Sequence, residues 1–143
     1  MSGRAFLDTN ILVYAVDEAE PEKRDTARRL LSSAGHGEFV LSTQILSEFY
    51  TVVTRKLEEP ISEATAAAAV DQLSLLAIVH IDPALVKAAI QTSRSSRLSY
   101  WDGLIVASAV AGGCERLLTE DLNDGQVIGS VRVENPFGER TVA

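Results

Sequence analysis

Four acidic residues stand where carboxylates are awkward, and the chemistry they could share follows from that placement. Asp8 comes directly after Arg4-Ala-Phe-Leu, a short apolar run that reads as a buried parallel strand, so its carboxylate lies just past the strand's carboxyl end. Asp121 stands in the same relation to the run Arg116-Leu-Leu-Thr. Asp102 shares its spacing with Ile105, Val106 and Ala109, on the apolar stripe of a helix that Ser99 would cap. Glu48, between Ile45 and Val52, lies on or beside the apolar stripe of another helix. A lone buried charge is costly, so each acid needs a partner, a proton or a metal ion. Carboxylates that converge without matching cations repel one another, and a divalent ion is the natural remedy. An all-oxygen ligand set with room for water favours Mg²⁺ or Mn²⁺ over zinc. One or two such ions could activate water and stabilise the charge that develops in phosphodiester cleavage.

Each acid also has a plainer reading when taken alone. Asp102 could complete a capping box with Ser99 and answer the helix dipole. Asp8 or Asn10 could be no more than the cap of the helix carrying Ile11, Leu12, Val13, Tyr14 and Val16. Glu48 could sit at a solvated helix edge, and Asp124-Gly has a simple turn reading.

The elements that must position these residues alternate along the chain. After the first strand and its helix, Pro21 opens a helix with Ala27, Leu30, Leu31 and Ala34 inward and Lys23, Arg24, Arg28 and Arg29 outward. Gly35-His-Gly ends it, with His36 an exposed loop residue. Glu38-Phe-Val-Leu is the second strand, and Ser42 or Thr43 caps the Glu48 helix with its stripe of Ile45, Leu46, Phe49, Val52 and Val53. The alanine-rich stretch after Glu63 is strong helix and makes a hairpin with the Glu48 helix, a place for a partner chain to dock. Leu76-Ala-Ile-Val-His-Ile reads as a third strand in which His80, among aliphatic neighbours, is structural. Pro83 starts a helix with Leu85, Val86, Ala89 and Ile90 inward. It ends in the basic link Ser93-Arg-Ser-Ser-Arg, which would bring Arg94 and Arg97 near Asp102, although charges answering the helix dipole explain Arg94 as well. Val127-Ile and Val131-Arg-Val give a last short strand, stopped by Asn135-Pro-Phe. This alternation predicts an α/β fold, a central mostly parallel sheet covered by helices on both faces. A single domain is expected over residues 1–137, with 138–143 as tail.

Bulk composition narrows the class. The 143 residues are 46% apolar and 23% charged, an ordinary globular balance with enough chain for a core. No apolar run reaches membrane-spanning length and the N-terminus is not a signal peptide, which predicts a cytoplasmic protein without a membrane. The single cysteine, Cys114, excludes an intrachain disulfide, suits a reducing compartment and reads as a small buried hydrophobe. A net charge of −7 argues against nucleic-acid affinity from bulk charge. It does not exclude a nuclease whose bound cations invert the sign locally.

Four segments in order carry a resemblance: Phe6-Leu-Asp-Thr-Asn-Ile-Leu-Val-Tyr-Ala, Glu48 within Ser47-Glu-Phe, Ser99-Tyr-Trp-Asp, and Leu117-Leu-Thr-Glu-Asp-Leu-Asn-Asp-Gly-Gln with the closing Asn135-Pro-Phe. The chain resembles PIN-domain proteins, and among them VapC-type toxin ribonucleases of toxin–antitoxin pairs, over residues 6–137. The resemblance implies the three-layer α/β/α PIN fold and Mg²⁺- or Mn²⁺-dependent endonucleolytic cleavage of RNA. It makes Asp8, Glu48, Asp102 and Asp121 the acidic cluster, with Asp8 and Asp102 as principal metal ligands and Glu48 and Asp121 binding directly or through water. Asn10 and Thr119 would orient ligands or metal waters, and Asp124 would lie at the outer rim. Homodimers and a small antitoxin that blocks the site are also implied. Arg94, Arg97, Arg55 and Lys56 are the candidates for substrate phosphate. Gly103 departs from the alanine commoner in that family, at roughly 1 kcal/mol of helix propensity, with a consequence for rigidity and none for chemistry.

Other classes fit less well. A two-component receiver domain needs paired acids after its first strand and a late lysine, whereas here Thr9 follows Asp8 and no lysine follows Lys87. A haloacid-dehalogenase phosphatase needs a second aspartate where this chain has Asn10. A non-catalytic PIN scaffold, binding protein or RNA, remains the alternative; all the acids it could dispense with are present.

Overall fold

The order of strands in the sheet decides where a ligand can enter. The computed structural model describes residues 3–33 and 38–138. The expected helix end at Gly35–Gly37, the inward Ala34, the loop reading of His36 and the tail from 139 onward lie outside the described residues. Six strands, β1 (Arg4–Leu7), β2 (Phe39–Ser42), β3 (Ala77–Val79), β4 (Cys114–Leu118), β5 (Val127–Ile128) and β6 (Val131–Glu134), form one sheet in the order β3-β2-β1-β4-β6-β5. All neighbours are parallel except β5 and β6. The chain moves outward from β1 to β3 and then returns to β4 on the other side of β1. That reversal makes the carboxyl ends of β1 and β4 the switch point, where open α/β sheets bind ligands.

Among the described residues six helices complete the three layers: α1 (Thr9–Tyr14), α2 (Pro21–Ser33), α3 (Thr43–Arg55), α4 (Glu63–Leu73), α5 (Pro83–Ser96) and α6 (Tyr100–Ala111). Local chemistry sets their starts. Side-chain oxygens of Ser42, Ser62, Asp82 and Ser99 accept from the amides of Ile45, Thr65, Leu85 and Asp102, satisfying donors that a helix N-terminus leaves open. Pro21 and Pro83 occupy first helical positions, where the missing N–H costs nothing. Among the described residues no helix is long and apolar enough to cross a membrane.

The main core gathers Phe6, Leu7, Ile11, Leu41, Ile45, Phe49, Val53, Leu117 and Val133 with the inner face of α6. A second cluster, Leu85, Ala89, Leu104 and Ala107, welds α5 to α6. Gly103 sits in that weld. A Cβ there would lie 2.8 Å from the Ala89 carbonyl oxygen and 2.8 Å from the Ser93 Cβ, so glycine is what permits the two helices to approach. The departure at Gly103 is therefore a packing requirement.

Several expectations need correction. His80 is exposed at the end of β3, because only Ala77–Val79 pair with β2, so it is not enclosed by aliphatic neighbours. Ile90 faces outward at 45% exposure, since α6 takes up the α5 face carrying Leu85 and Ala89. The last strand is a hairpin of two, β5 and β6, turned at Gly129 with φ of 60°. Cys114 is buried in β4, as expected of a small hydrophobe, and burial pushes its thiol up to about 11.

Candidate active site

Asp8 follows β1 and caps α1: its Oδ1 accepts from the Thr9 amide at 2.7 Å, and its Oδ2 from the Thr119 hydroxyl at 2.7 Å. Thr119, fully buried after β4, also accepts from the Asp121 amide at 3.1 Å, so one hydroxyl links the two strand-end acids. Asn10, in the first turn of α1, donates from Nδ2 to Asp121 Oδ2 at 3.1 Å. Glu48 reaches in from α3 with both oxygens held, Oε2 by the Thr9 hydroxyl and Oε1 by the Gln44 amide, each at 2.8 Å. Asp102 stands in the first turn of α6, and its amide donates to Ser99 Oγ at 3.1 Å. The return arm of the expected capping box is missing: among the described residues the Asp102 carboxylate has no hydrogen-bond partner.

Electrostatics ties the acids together. Burial raises the Asp8 carboxyl to about 6, against the pull of the Thr119 and Thr9 hydrogen bonds, with the charges of Asp121 and Glu48 adding to the rise. Burial also raises Asp121, helped by the charges of Glu120, Asp102 and Glu48. Asp8 thus lies in the field of Asp121 and Glu48, and Asp121 in that of Asp102 and Glu48. A hollow of about 330 Å³, lined by Thr9, Asn10, Tyr14, Asp17, Glu48 and Asp121, opens beside them. A larger cavity of about 680 Å³, around Gly3, Arg116 and Arg132, holds none of the four and contains arginines already in ion pairs.

The donor set suits a hard divalent cation in composition: carboxylate, amide and hydroxyl oxygens crowded with like charge, and among the described residues no lysine or arginine is hydrogen-bonded to the four acids. Asn10 Oδ1 is buried there with no hydrogen-bond partner, as an oxygen intended for a ligand or ion would be. In closure it falls short. Among the described residues no group of three or more His, Cys, Asp or Glu side chains is arranged to hold an ion.

The other expected site residues scatter. Arg94 is exposed on α5 and lines a hollow with Lys87, Ile90, Gln91 and Ser95 that contains no acid. Arg97 is the exposed C-cap of α5, in the left-handed region at φ of 54°. Asp124 Oδ1 accepts from the Asn135 amide at 3.0 Å, eleven residues on, and so ties its segment to the end of β6. Conversely, the sequence reading passed over Thr9 and Gln44, which hold Glu48. Gln44 was legible four residues before Glu48 on one helix face. It also missed a triad at the rim. Glu120 accepts from the Tyr14 hydroxyl at 2.5 Å and pairs with Lys23 at 3.1 Å, and the Lys23 ammonium lies 4.7 Å from the Tyr14 ring centre. No local spacing signals that triad, because α1, α2 and the segment after β4 meet only in the fold. Trp101, beside Asp102, is 62% exposed and packs its edge against Tyr100 with ring centres 5.1 Å apart.

With this geometry in view, comparison decides the family. Residues 5–124 match the sequence profile of the PIN domain. The chain belongs to the PIN-domain family. No curated protein is a significant match in sequence. Solved structures share the fold at low identity. A toxin–antitoxin complex from Klebsiella pneumoniae aligns with a TM-score of 0.69 at 20% identity, covering 93% of this chain and 98% of that one. Mycobacterium tuberculosis VapC20, described as a sarcin-ricin loop cleaving toxin, aligns at 0.62 and 20% identity over 79% and 86% of the two chains. DNA-bound VapBC from Salmonella typhimurium aligns at 0.64 and 18% identity over 94% and 98%. The PIN-domain fold thus places Asp8 and Asp121 at adjoining strand ends, with Glu48 and Asp102 brought to the same edge on helices.

Proposed function

We propose that this PIN domain is a Mg²⁺- or Mn²⁺-dependent endoribonuclease, the cytoplasmic toxin of a toxin–antitoxin pair. The observation that carries the reading is the convergence of Asp8, Glu48, Asp102 and Asp121 on the switch point, each raising or feeling the charge of another. The RNA-cleaving and antitoxin-bound proteins that share the fold support substrate and partner, and a homodimer is part of the same reading.

Asp8 and Asp102 would hold the ion directly, Glu48 and Asp121 directly or through water, and the unpartnered Asn10 Oδ1 would take a metal water. The ion would supply an activated water and neutralise charge developing on the phosphate. The chain's own groups do the positioning. Thr119 fixes Asp8 Oδ2 and the Asp121 amide together, so a single hydroxyl sets the gap between two acids. Glu48, bonded at both oxygens, is suited to a fixed charge. Among the described residues the Asp121 carboxylate accepts a side-chain hydrogen bond at Oδ2 alone, and on this reading its other oxygen would take a proton from the attacking water.

The second reading is a non-catalytic scaffold that binds RNA or protein; among the described residues no group of three or more acids is arranged around one point. Cleavage by the purified chain with Mg²⁺ or Mn²⁺ and with EDTA separates the two. On the nuclease reading, Asp8→Asn and Asp102→Asn each lose about 100-fold or more in rate with folding intact by circular dichroism, as removal of a charge-stabilising group does. Cutting that survives in both variants or in EDTA overturns it, and metal-independent RNA binding without cutting supports the scaffold.

A further inference from the structure

The acidic hollow does not end at the acids. A second hollow, of about 370 Å³, adjoins it along α3, lined by Ser47, Glu48, Thr51, Val52 and Lys56. The two share Glu48 and Val52 and so adjoin along the helix; together, from Asn10 and Asp121 to Lys56, they are termed the α3 trough. Glu48, Val52 and Lys56 recur every fourth residue and therefore lie on one helical face. From Glu48 to Lys56 the helix advances roughly 12 Å, a separation suited to two phosphates of one strand.

The charge along the trough is uneven in an informative way. Among the described residues Lys23, Arg24, Arg28, Arg116 and Arg132 are in ion pairs. Arg55 and Lys56 are exposed and in none, as are Arg29, Lys87, Arg94 and Arg97 on other faces, so it is the position of Lys56 on the hollow beside Glu48 that sets it apart. Lys56 faces the same hollow as Glu48 without pairing with it. An ammonium left unneutralised at one end, an acidic centre suited to a cation at the other, and Val52 between them match an alternation of phosphate, sugar and phosphate. A chain of net charge −7 has little bulk attraction for a polyanion, so local cations must set the strand's path.

We propose that the α3 trough is the substrate track of this enzyme and that Lys56 binds an RNA phosphate beyond the scissile one. The inference rests on the ribonuclease reading. Its test reads binding and cutting separately, on the full chain with a fluorescein-labelled single-stranded oligoribonucleotide across a salt series. Lys56→Ala is compared with Lys56→Arg and with Lys87→Ala, an equal charge change on the α5 face. The expected result is a KM and an anisotropy midpoint raised about 5- to 10-fold in Lys56→Ala at unchanged kcat and unchanged melting temperature. The slope of log affinity against log salt becomes shallower by roughly 0.7. Lys56→Arg restores most of both, and Lys87→Ala moves neither. A wild-type chain that cuts while Lys56→Ala matches it overturns the track alone, as does an equal effect of Lys87→Ala. Binding through Lys56 without cutting overturns the nuclease reading and keeps the track. Neither binding nor cutting overturns both. An effect of Lys56→Ala confined to capture of a partner polypeptide makes the trough a protein groove and overturns the track.

Discussion

Asp8 is where the demands of folding and of chemistry collide. Its carboxyl stands at about 6 against an ordinary value of 3.8, with burial as the main cause. A raised carboxyl costs the fold nothing when it is protonated in both states, below about pH 4. The cost grows as pH rises through the unfolded value and is complete above about 6, where a rise of this size amounts to about 3 kcal/mol. Asp8→Asn is therefore expected to be more stable than the wild type in EDTA at pH 7, by about 1–3 kcal/mol after the altered Thr119 bond is allowed for. The advantage should vanish near pH 4. Magnesium should raise the melting temperature of the wild type and not of the variant. Thermal scans at pH 4, 5.5 and 7 with EDTA or Mg²⁺ check this, and a variant less stable than the wild type at pH 7 would sink it. Arg97 makes a second case, since a left-handed φ of 54° costs a non-glycine residue about 1 kcal/mol. Arg97→Gly should gain about that much by urea unfolding. A simultaneous fall in RNA cleavage would show that the guanidinium serves the substrate. The acids themselves were legible from sequence because each broke a pattern, polar just past a strand or on an apolar stripe. The groups that hold them were not, because hydroxyls and amides such as Thr9 break no pattern at all.

The α5–α6 pair shows what periodicity can and cannot say. Both helices were legible from their caps, yet Ile90 was read as inward and Gly103 as a simple loss of helix propensity. Spacing marks which residues share a face; it does not say which of two neighbouring faces the next helix will occupy. Here α6 lies so close to α5 that position 103 has no room for a methyl group against a backbone carbonyl that cannot swing aside. Gly103→Ala gains about 1 kcal/mol of helix propensity and loses more to overpacking, so a net destabilisation of about 1–3 kcal/mol is expected by chemical denaturation. Because Asp102 is the preceding residue, the displaced helix end should also lower cleavage more than stability. A stable, fully active Gly103→Ala would show that the helices can part freely. The β5–β6 hairpin was blurred into one strand for a related reason: two-residue β5 is too short for alternation to register, and the positive φ at Gly129 was its only local sign.

For the molecule as a whole, the order of strands is the decisive fact that no local pattern holds. Alternation gave a parallel sheet, whereas the reversal between β3 and β4 that brings Asp8 beside Thr119 and Asp121 depends on long-range pairing. The same sheet encloses Cys114, whose thiol is pushed up to about 11. Alkylation of the native chain at pH 7.5 should accordingly proceed only through global opening and slow in proportion to folding stability, measurable by mass spectrometry against a urea-unfolded control. Rapid labelling of the native state would mean that β4 opens locally. Trp101 has an optical consequence. It is the chain's single tryptophan, it lies outside the core, and its neighbour in sequence is Asp102. The tryptophan fluorescence of this protein therefore comes from the residue next to Asp102, at the exposed start of α6, and its colour and intensity should register when a cation, a nucleotide strand or a partner chain settles on that helix start, with no label attached.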